Sequence, residues 1–162
     1  MPNNQQPLDI EEQEAITAVV TLMLMQCPAV QNRKITTRVE ELITTPNIIG
    51  VFPTSGSVYL KKYISGSFTA QQAFNIKYRV SPTDDTDKVD AAETLNRVGQ
   101  WLEGREVTID GEIYQIADYP ALTEGRTITT IERQSNAFLA ALSDDGAADY
   151  QINIRVQYSK KV

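Results

Sequence analysis

Few side chains in this sequence have the types and spacing that catalysis or metal binding requires. Histidine is absent, and Cys27 is the one cysteine. Without histidine a Cys–His or Ser–His nucleophilic pair cannot form, and a lone cysteine cannot complete a usual structural zinc site. No Walker-type loop or dinucleotide fingerprint occurs. We therefore expect no catalytic residue, no metal and no cofactor, and we predict that the chain is not an enzyme.

Two acidic clusters come nearest to a ligand set. The first consists of Asp84, Asp85, Asp87 and Asp90. It lacks the glycine and the terminal glutamate of an EF-hand calcium loop, and it suits the start of a helix, where negative charge is stabilised. The second, Asp144-Asp145-Gly146, has the composition of a turn. Carboxylates that the fold brings together would be the alternative, in a hydrolase or a small-molecule-binding domain.

The composition describes a soluble globular chain rather than a nucleic-acid or membrane protein. It has 162 residues, 41% hydrophobic and 22% charged, with a net charge of −6. We expect a single domain over residues 1–162 whose acidic surface repels DNA on average. No apolar run approaches the roughly 20 residues of a membrane span, and the first residues lack signal-peptide features. A lone cysteine is compatible with a reducing compartment, so we expect a protein that is cytoplasmic or that leaves the cell without being secreted.

Residues 150–158 contain the clearest structural signal. Apolar and polar side chains alternate strictly, which predicts a half-buried strand with one apolar face. The apolar positions are Tyr150, Ile152, Ile154, Val156 and Tyr158.

Residues 57–80 predict a long β-hairpin turned at Ser65-Gly66. In the first strand of this hairpin, the apolar residues at alternate positions are Val58, Leu60 and Ile64, with Lys62 interrupting. In the second strand, the apolar residues at alternate positions are Phe68, Ala70, Phe74, Ile76, Tyr78 and Val80, with Gln72 interrupting. The opposite face of this second strand carries Thr69, Gln71, Asn75, Lys77 and Arg79.

Two helices are predicted to cover the apolar face of the sheet. The first spans residues 8–26, with Asp9 as its cap and Glu12 completing a capping box. Its second half is apolar nearly all round, so it meets either the core, which we favour, or a second surface. Pro28 should end this helix. The second helix spans residues 88–103, with Asp84 to Asp87 crowding its start. Its buried stripe is Ala91, Leu95, Val98 and Leu102.

The other segments are less regular. Residues 1–7 should be mobile, and residues 29–56 irregular, either as a binding loop or as a surface insertion; within them, 35–43 fit a short strand or a helical turn. A small hairpin should join residues 107–109 to 113–116 through Asp110-Gly111. Residues 126–142 suit a helix or a strand, and we favour a strand that forms a hairpin with 150–158. The predicted fold class is therefore α+β, with a mainly antiparallel sheet built from two long hairpins and covered on one face by two helices.

The order of these elements resembles the tail terminator (tail completion) proteins of long-tailed bacteriophages, often labelled minor capsid proteins in gram-positive phages. Three blocks carry the resemblance across residues 57–159. They are the hairpin that includes 63–74 and 76–80, the helix with Leu95-Asn96 and Trp101-Leu102-Glu103, and the C-terminal segments 130–133, 138–139 and 150–158.

The resemblance implies a structural virion protein. Such a protein assembles as a homohexameric ring at the head-proximal end of the tail, caps the tube, ends its polymerisation and joins it to the head connector or stopper. DNA would pass through the lumen without specific binding. Under this hypothesis the polar hairpin face, Thr69, Gln71, Asn75, Lys77 and Arg79, is the candidate interface. Another head–tail joining ring component is the alternative within the same class.

Overall fold

The fold is organised around one mixed sheet. The computed structural model describes residues 6–40, 47–81, 85–122 and 124–162. Within these ranges the helices are α1 (Ile10–Gln26), α2 (Pro28–Asn32) and α3 (Asp85–Leu102). The strands of the sheet are β1 (Thr36–Val39), β2 (Ile48–Pro53), β3 (Val58–Lys62), β4 (Phe68–Val80), β7 (Arg126–Arg133), β8 (Phe138–Leu142) and β9 (Ala148–Lys160). Strands β5 (Val107–Ile109) and β6 (Glu112–Tyr114) form a separate small hairpin.

The centre of the sheet is the antiparallel pair β4 and β9. Each strand has 13 residues, and every residue of one is paired with a residue of the other, from Phe68 opposite Lys160 to Val80 opposite Ala148. Most side chains on one face are buried, and those on the other are partly exposed except for Asp149, which is buried. The alternation predicted for both strands is confirmed.

Each central strand is flanked by two shorter strands in succession. The outer edge of β4 pairs with β3 near its start and with β2 near its end. The outer edge of β9 pairs with β8 near its start and with β7 near its end. β1 then adds to β2 in parallel. The strand assignment of 126–142 is thus confirmed, although that segment forms two strands rather than one.

Helices α1 and α3 pack on the apolar face of the sheet. Ile16, Val20 and Leu24 of α1 are fully buried, as are Leu95 and Leu102 of α3. The buried stripe predicted for the second helix, which is α3, is confirmed. Of the caps predicted for it, Asp84 lies outside the described residues, and the side chains of residues 85 and 86 are not described. The α+β class with a mostly antiparallel, helix-covered sheet is confirmed.

The prediction that residues 29–56 are irregular is wrong where the structure describes them, whereas the short strand considered for 35–43 is present as β1. They contain most of α2 together with β1 and β2, while 41–46 lie outside the described residues. Pro28 does not merely follow α1; it is the first residue of α2, where its missing N–H costs nothing. In β2, Ile48, Ile49 and Val51 are buried, so the strand is a short apolar run without alternation, which periodicity cannot distinguish from other buried segments.

Two smaller predictions concern the chain before α1 and the first strand of the hairpin. Residues 1–5 of the segment expected to be mobile lie outside the described residues; of the other two, the Gln6 carbonyl accepts a hydrogen bond from the Tyr59 N–H at 2.9 Å, and Pro7 bridges to Val58. The buried residue of β3 is Tyr59, whereas the predicted inward residues Val58 and Leu60 are partly or fully exposed and Ile64 lies beyond the strand, in the exposed turn. A register shift between Tyr59 and Lys61 interrupts the alternation.

Candidate interaction surfaces

The five predicted interface residues lie together on the face of the sheet opposite α1 and α3. They occupy alternate positions of β4 and are opposed on β9 by further polar side chains. The pairs are Thr69 with Ser159, Gln71 with Gln157, Asn75 with Asn153, Lys77 with Gln151 and Arg79 with Asp149. All five are partly exposed. Their predicted common face is therefore present, whereas their role at an interface stays a prediction.

Several of these side chains also have structural partners within the chain. Arg79 forms a bidentate ion pair with Asp149, with Nε–Oδ1 and Nη2–Oδ2 distances of 2.7 and 2.8 Å. Gln71 donates to the Gly56 carbonyl at 3.3 Å. The Lys77 ammonium lies 5.2 Å from the centre of the Phe52 ring. Part of this polar face is thus held in place by a hydrogen bond, an ion pair and a cation–π contact within the chain.

Sequence reasoning missed a buried ionic cluster on the other face. Arg126 of β7 and Glu12 of α1 form two hydrogen bonds, Nε–Oε1 at 2.9 Å and Nη2–Oε2 at 2.8 Å, and the Tyr158 hydroxyl donates to Oε1 at 3.0 Å. Lys160 approaches Glu12 at 3.7 Å. Glu12 does not close the predicted capping box, and Asp9 makes no capping bond but accepts from Tyr59. One sequence signal could have indicated that Arg126 is buried: it lies two positions before Ile128 on the same strand, so both side chains point to the same face of the sheet.

The cluster shifts the ionisation of its members. The hydrogen bonds and charge of Arg126 outweigh burial and hold the pKa of Glu12 below its ordinary value. Burial, together with the neighbouring Glu12 carboxylate, raises the pKa of the Tyr158 hydroxyl. At neutral pH the cluster is therefore an ionised carboxylate that accepts hydrogen bonds from a guanidinium and a neutral phenol.

Exposed apolar side chains occur along α1, at Ile10, Leu22 and Met25, and in two groups on the sheet. The first, which we call the arm, is β8 with the following turn 143–147; Phe138, Leu139 and Leu142 are 41%, 49% and 62% exposed. The second, which we call the tip, is the turn 63–67 between β3 and β4, where Tyr63 is 46% exposed and Ile64 projects fully into solvent. Isolated exposed apolar residues are ordinary, but two clusters of them on a small domain indicate contact surfaces.

A polar cleft of about 710 Å³ runs between the segment 115–122 and β7. Its lining includes the carboxylates of Glu103 and Asp118. Glu103 is held by Arg133, whose Nε lies 2.8 Å from Oε1 and whose backbone N–H donates to Oε2. Both carboxylate oxygens of Glu103 are therefore used to hold the residue that follows α3 against β7.

Neither a metal centre nor a membrane helix is found in the described part of the chain. No group of three or more acidic or cysteine side chains there is placed to hold a metal ion. Of the first acidic cluster, Asp90 is bound to Arg33, with Nη2–Oδ1 at 2.8 Å. None of the described helices is long and apolar enough to cross a membrane.

No protein-family model matches the sequence, and no curated protein matches it either. Solved structures do share its fold. One chain of the virion of a native gene transfer agent (GTA) particle is 14% identical, aligns over 93% of this chain and 99% of its own length, and has a TM-score of 0.62. A second solved chain, 10% identical over 93% of this chain and 94% of its own, has a TM-score of 0.37, which is too low to argue from. The first similarity shows a common fold over nearly the whole of both chains.

Proposed function

We propose that the chain is a structural virion protein of a phage-like particle, and that it forms the ring that terminates the tail tube. The observation that carries the proposal is the fold shared, over 99% of the other chain, with a component of a gene transfer agent virion. Small domains that match end to end share a whole architecture rather than one common motif, although fold alone does not determine function.

The surfaces of the molecule support an assembly role. A ring subunit contacts its neighbour through two different patches, because a heterologous contact that closes by rotation generates a ring. This chain has a helix-covered face, an opposite polar face and two separate apolar projections. A terminator also needs unlike surfaces toward the tube and toward the head, and these features provide several.

The charge distribution fits a channel that DNA crosses without being held. The net charge is −6, and the polar face of β4 offers only Lys77 and Arg79, the latter already paired with Asp149. Affinity for DNA grows with the number of phosphates neutralised, so this face would bind DNA weakly. We therefore propose as partners a second copy of the chain in a homohexamer, the tail tube protein and the head connector or stopper.

The test is inactivation of the gene, followed by electron microscopy of the lysate and complementation from a plasmid. Overlong tails separated from filled heads would support the terminator role. Tails of normal length beside leaking heads would indicate instead a connector or other head–tail joining ring. Normal infectious particles would overturn the structural proposal and would favour the alternative, a small-molecule-binding or hydrolase domain.

A further inference from the structure

We propose that the tip of one copy docks on the arm of the next copy, and that this contact closes the ring. The inference rests on the proposed ring function and specifies its subunit interface. Both surfaces belong to this chain, so the partner is a second copy of it.

The arm has the properties of an unpartnered binding strand. The sequence of β8 is Phe-Leu-Ala-Ala-Leu, without a polar side chain, and all five residues are exposed. Leu139 and Leu142 pair with Tyr150 and Ala148 of β9, so they extend the apolar face of the sheet. Within the described residues β8 pairs only with β9. An exposed apolar edge strand promotes association unless something covers it.

The tip is an apolar projection surrounded by lysines. Ile64 stands at its end, and the Lys61 ammonium lies 5.1 Å from the centre of the Tyr63 ring. The C-terminal residues are fixed beside it, because the Val162 N–H donates to the Ser67 hydroxyl at 3.1 Å. The exposed cations gathered at this end are Lys61, Lys62 and Lys161.

Charge distinguishes this pairing from the alternatives. The turn of the arm carries Asp144 and Asp145, both exposed, so a lysine-rich tip is attracted to it. Two tips placed together would oppose lysine to lysine, and two arms would oppose aspartate to aspartate. Opposite potentials across an interface fix its register and disfavour wrong partners.

The positions of the two surfaces favour a head-to-tail contact. The tip lies at the Phe68–Lys160 end of the central ladder and on the β4 side, whereas the arm lies at the Val80–Ala148 end and on the β9 side. Thirteen paired residues separate the ends by about 40 Å at roughly 3.3 Å per residue. The tip therefore cannot reach the arm of its own chain, and each copy uses one end to bind and the other to be bound.

Disulfide trapping tests the contact directly. The only native cysteine, Cys27, is fully buried, so Ile64→Cys and Leu142→Cys introduce the only accessible thiols, both at exposed positions. We expect the double variant, on mild oxidation, to give a ladder of covalent multimers. Mixing the two single variants should give one heterodimer, and each alone should stay uncross-linked. Self-linking of Ile64→Cys, or no cross-linking in the double variant, would overturn the proposal.

Charge reversal provides an independent check. In the double cysteine variant, the further changes Lys61→Glu and Lys161→Glu should lower the cross-linking yield at least about tenfold, because they place like charges on both sides of the contact. Adding Asp144→Lys and Asp145→Lys should restore it. An unchanged yield, or a reversal without rescue, would contradict the assignment.

Particles assembled with the double variant separate this inference from the proposed function. If the chain is in the particles but its copies do not cross-link, or it cross-links to a different protein, the tip-to-arm contact is wrong and the virion role stands. If the chain is absent from the particles yet purified copies form the ladder, the contact is right and the proposed function fails.

Discussion

Glu12 and Arg126 lie 114 positions apart in the sequence and form a bidentate ion pair inside the protein, with both side chains less than one-tenth exposed. The pair fastens the first turn of α1 to the start of β7. Tyr158 adds a third bond from β9. The first helix and the last two long strands are thus joined through one carboxylate.

We predict that Glu12→Gln lowers the free energy of unfolding by about 3 kcal/mol, because the buried Arg126 guanidinium loses its buried counter-charge and keeps only the exposed Glu124 carboxylate, 3.4 Å away. Urea titration followed by circular dichroism would measure the loss. Glu11→Gln is the matched control, since Glu11 is exposed on the same helical turn, and it should change stability by less than about 0.5 kcal/mol. Equal effects of the two substitutions would show that the ion pair contributes nothing special.

The same carboxylate predicts an acid limb in the stability curve. The pKa of Glu12 in the folded protein is below its ordinary value of 4.5. Its contribution is therefore complete above about pH 4.5 and is lost as the pH falls through the folded-state pKa. Unfolding free energies measured from pH 7 to 3 should fall less steeply in Glu12→Gln than in the parent. Parallel curves would contradict the assignment.

The parts of the fold that sequence could predict are those in which one physical signal dominates. Alternation in β4 and β9 directly reports one buried and one exposed face, and the stripe of α3 does the same for a helix. β2 lacked such a signal because it is short and apolar. No single alternation runs along β3, because its register shifts between Tyr59 and Lys61, and periodicity cannot locate such a bulge.

Polar residues inside the core show why the rest was out of reach. Gln72 breaks the apolar pattern of β4, yet it is fully buried, and its Nε2 donates to the Gln13 carbonyl and the Thr17 hydroxyl of α1 at 3.2 and 3.0 Å. Glu12 is likewise paired with a residue that is distant in the sequence, Arg126. Such pairings depend on which elements meet in space, and the sequence position of one partner says nothing about the other.

We predict that Cys27 reacts with thiol reagents only when the protein unfolds. The side chain is fully buried, and burial raises the pKa of its thiol to about 11, so very little thiolate exists at pH 8 and none of it is accessible. Labelling in native buffer should be at least about 1,000-fold slower than in denaturant, since a stable domain is unfolded that rarely. Ile64→Cys is the positive control and should label at once; rapid loss of the Cys27 thiol in the native protein would show that the helix–sheet core opens.

Ile154→Asp should abolish folding. Ile154 is about 1% exposed and lies opposite Phe74 at the centre of the β4–β9 ladder. A buried, unpaired carboxylate costs several kcal/mol, comparable with the roughly 5–15 kcal/mol stability of a domain. The neighbouring Asn153→Asp places the same group on the partly exposed face and should fold normally. Circular dichroism and melting of both variants would decide; a folded Ile154→Asp would place this face outside the core.

The polar face of β4 should divide into a structural half and a contact half. Arg79 is tied to Asp149, which is 5% exposed, so Arg79→Ala strands a buried carboxylate and should lower the unfolding free energy by about 3–5 kcal/mol. Asn75→Ala, on the same face and strand, should stay within about 0.5 kcal/mol of the parent.

If the polar face of β4 contacts another subunit or the tube, Asn75→Lys should fold like the parent yet complement the inactivated gene poorly. Full complementation by a stable Asn75→Lys protein would remove this face from the candidate interfaces and leave the tip and the arm.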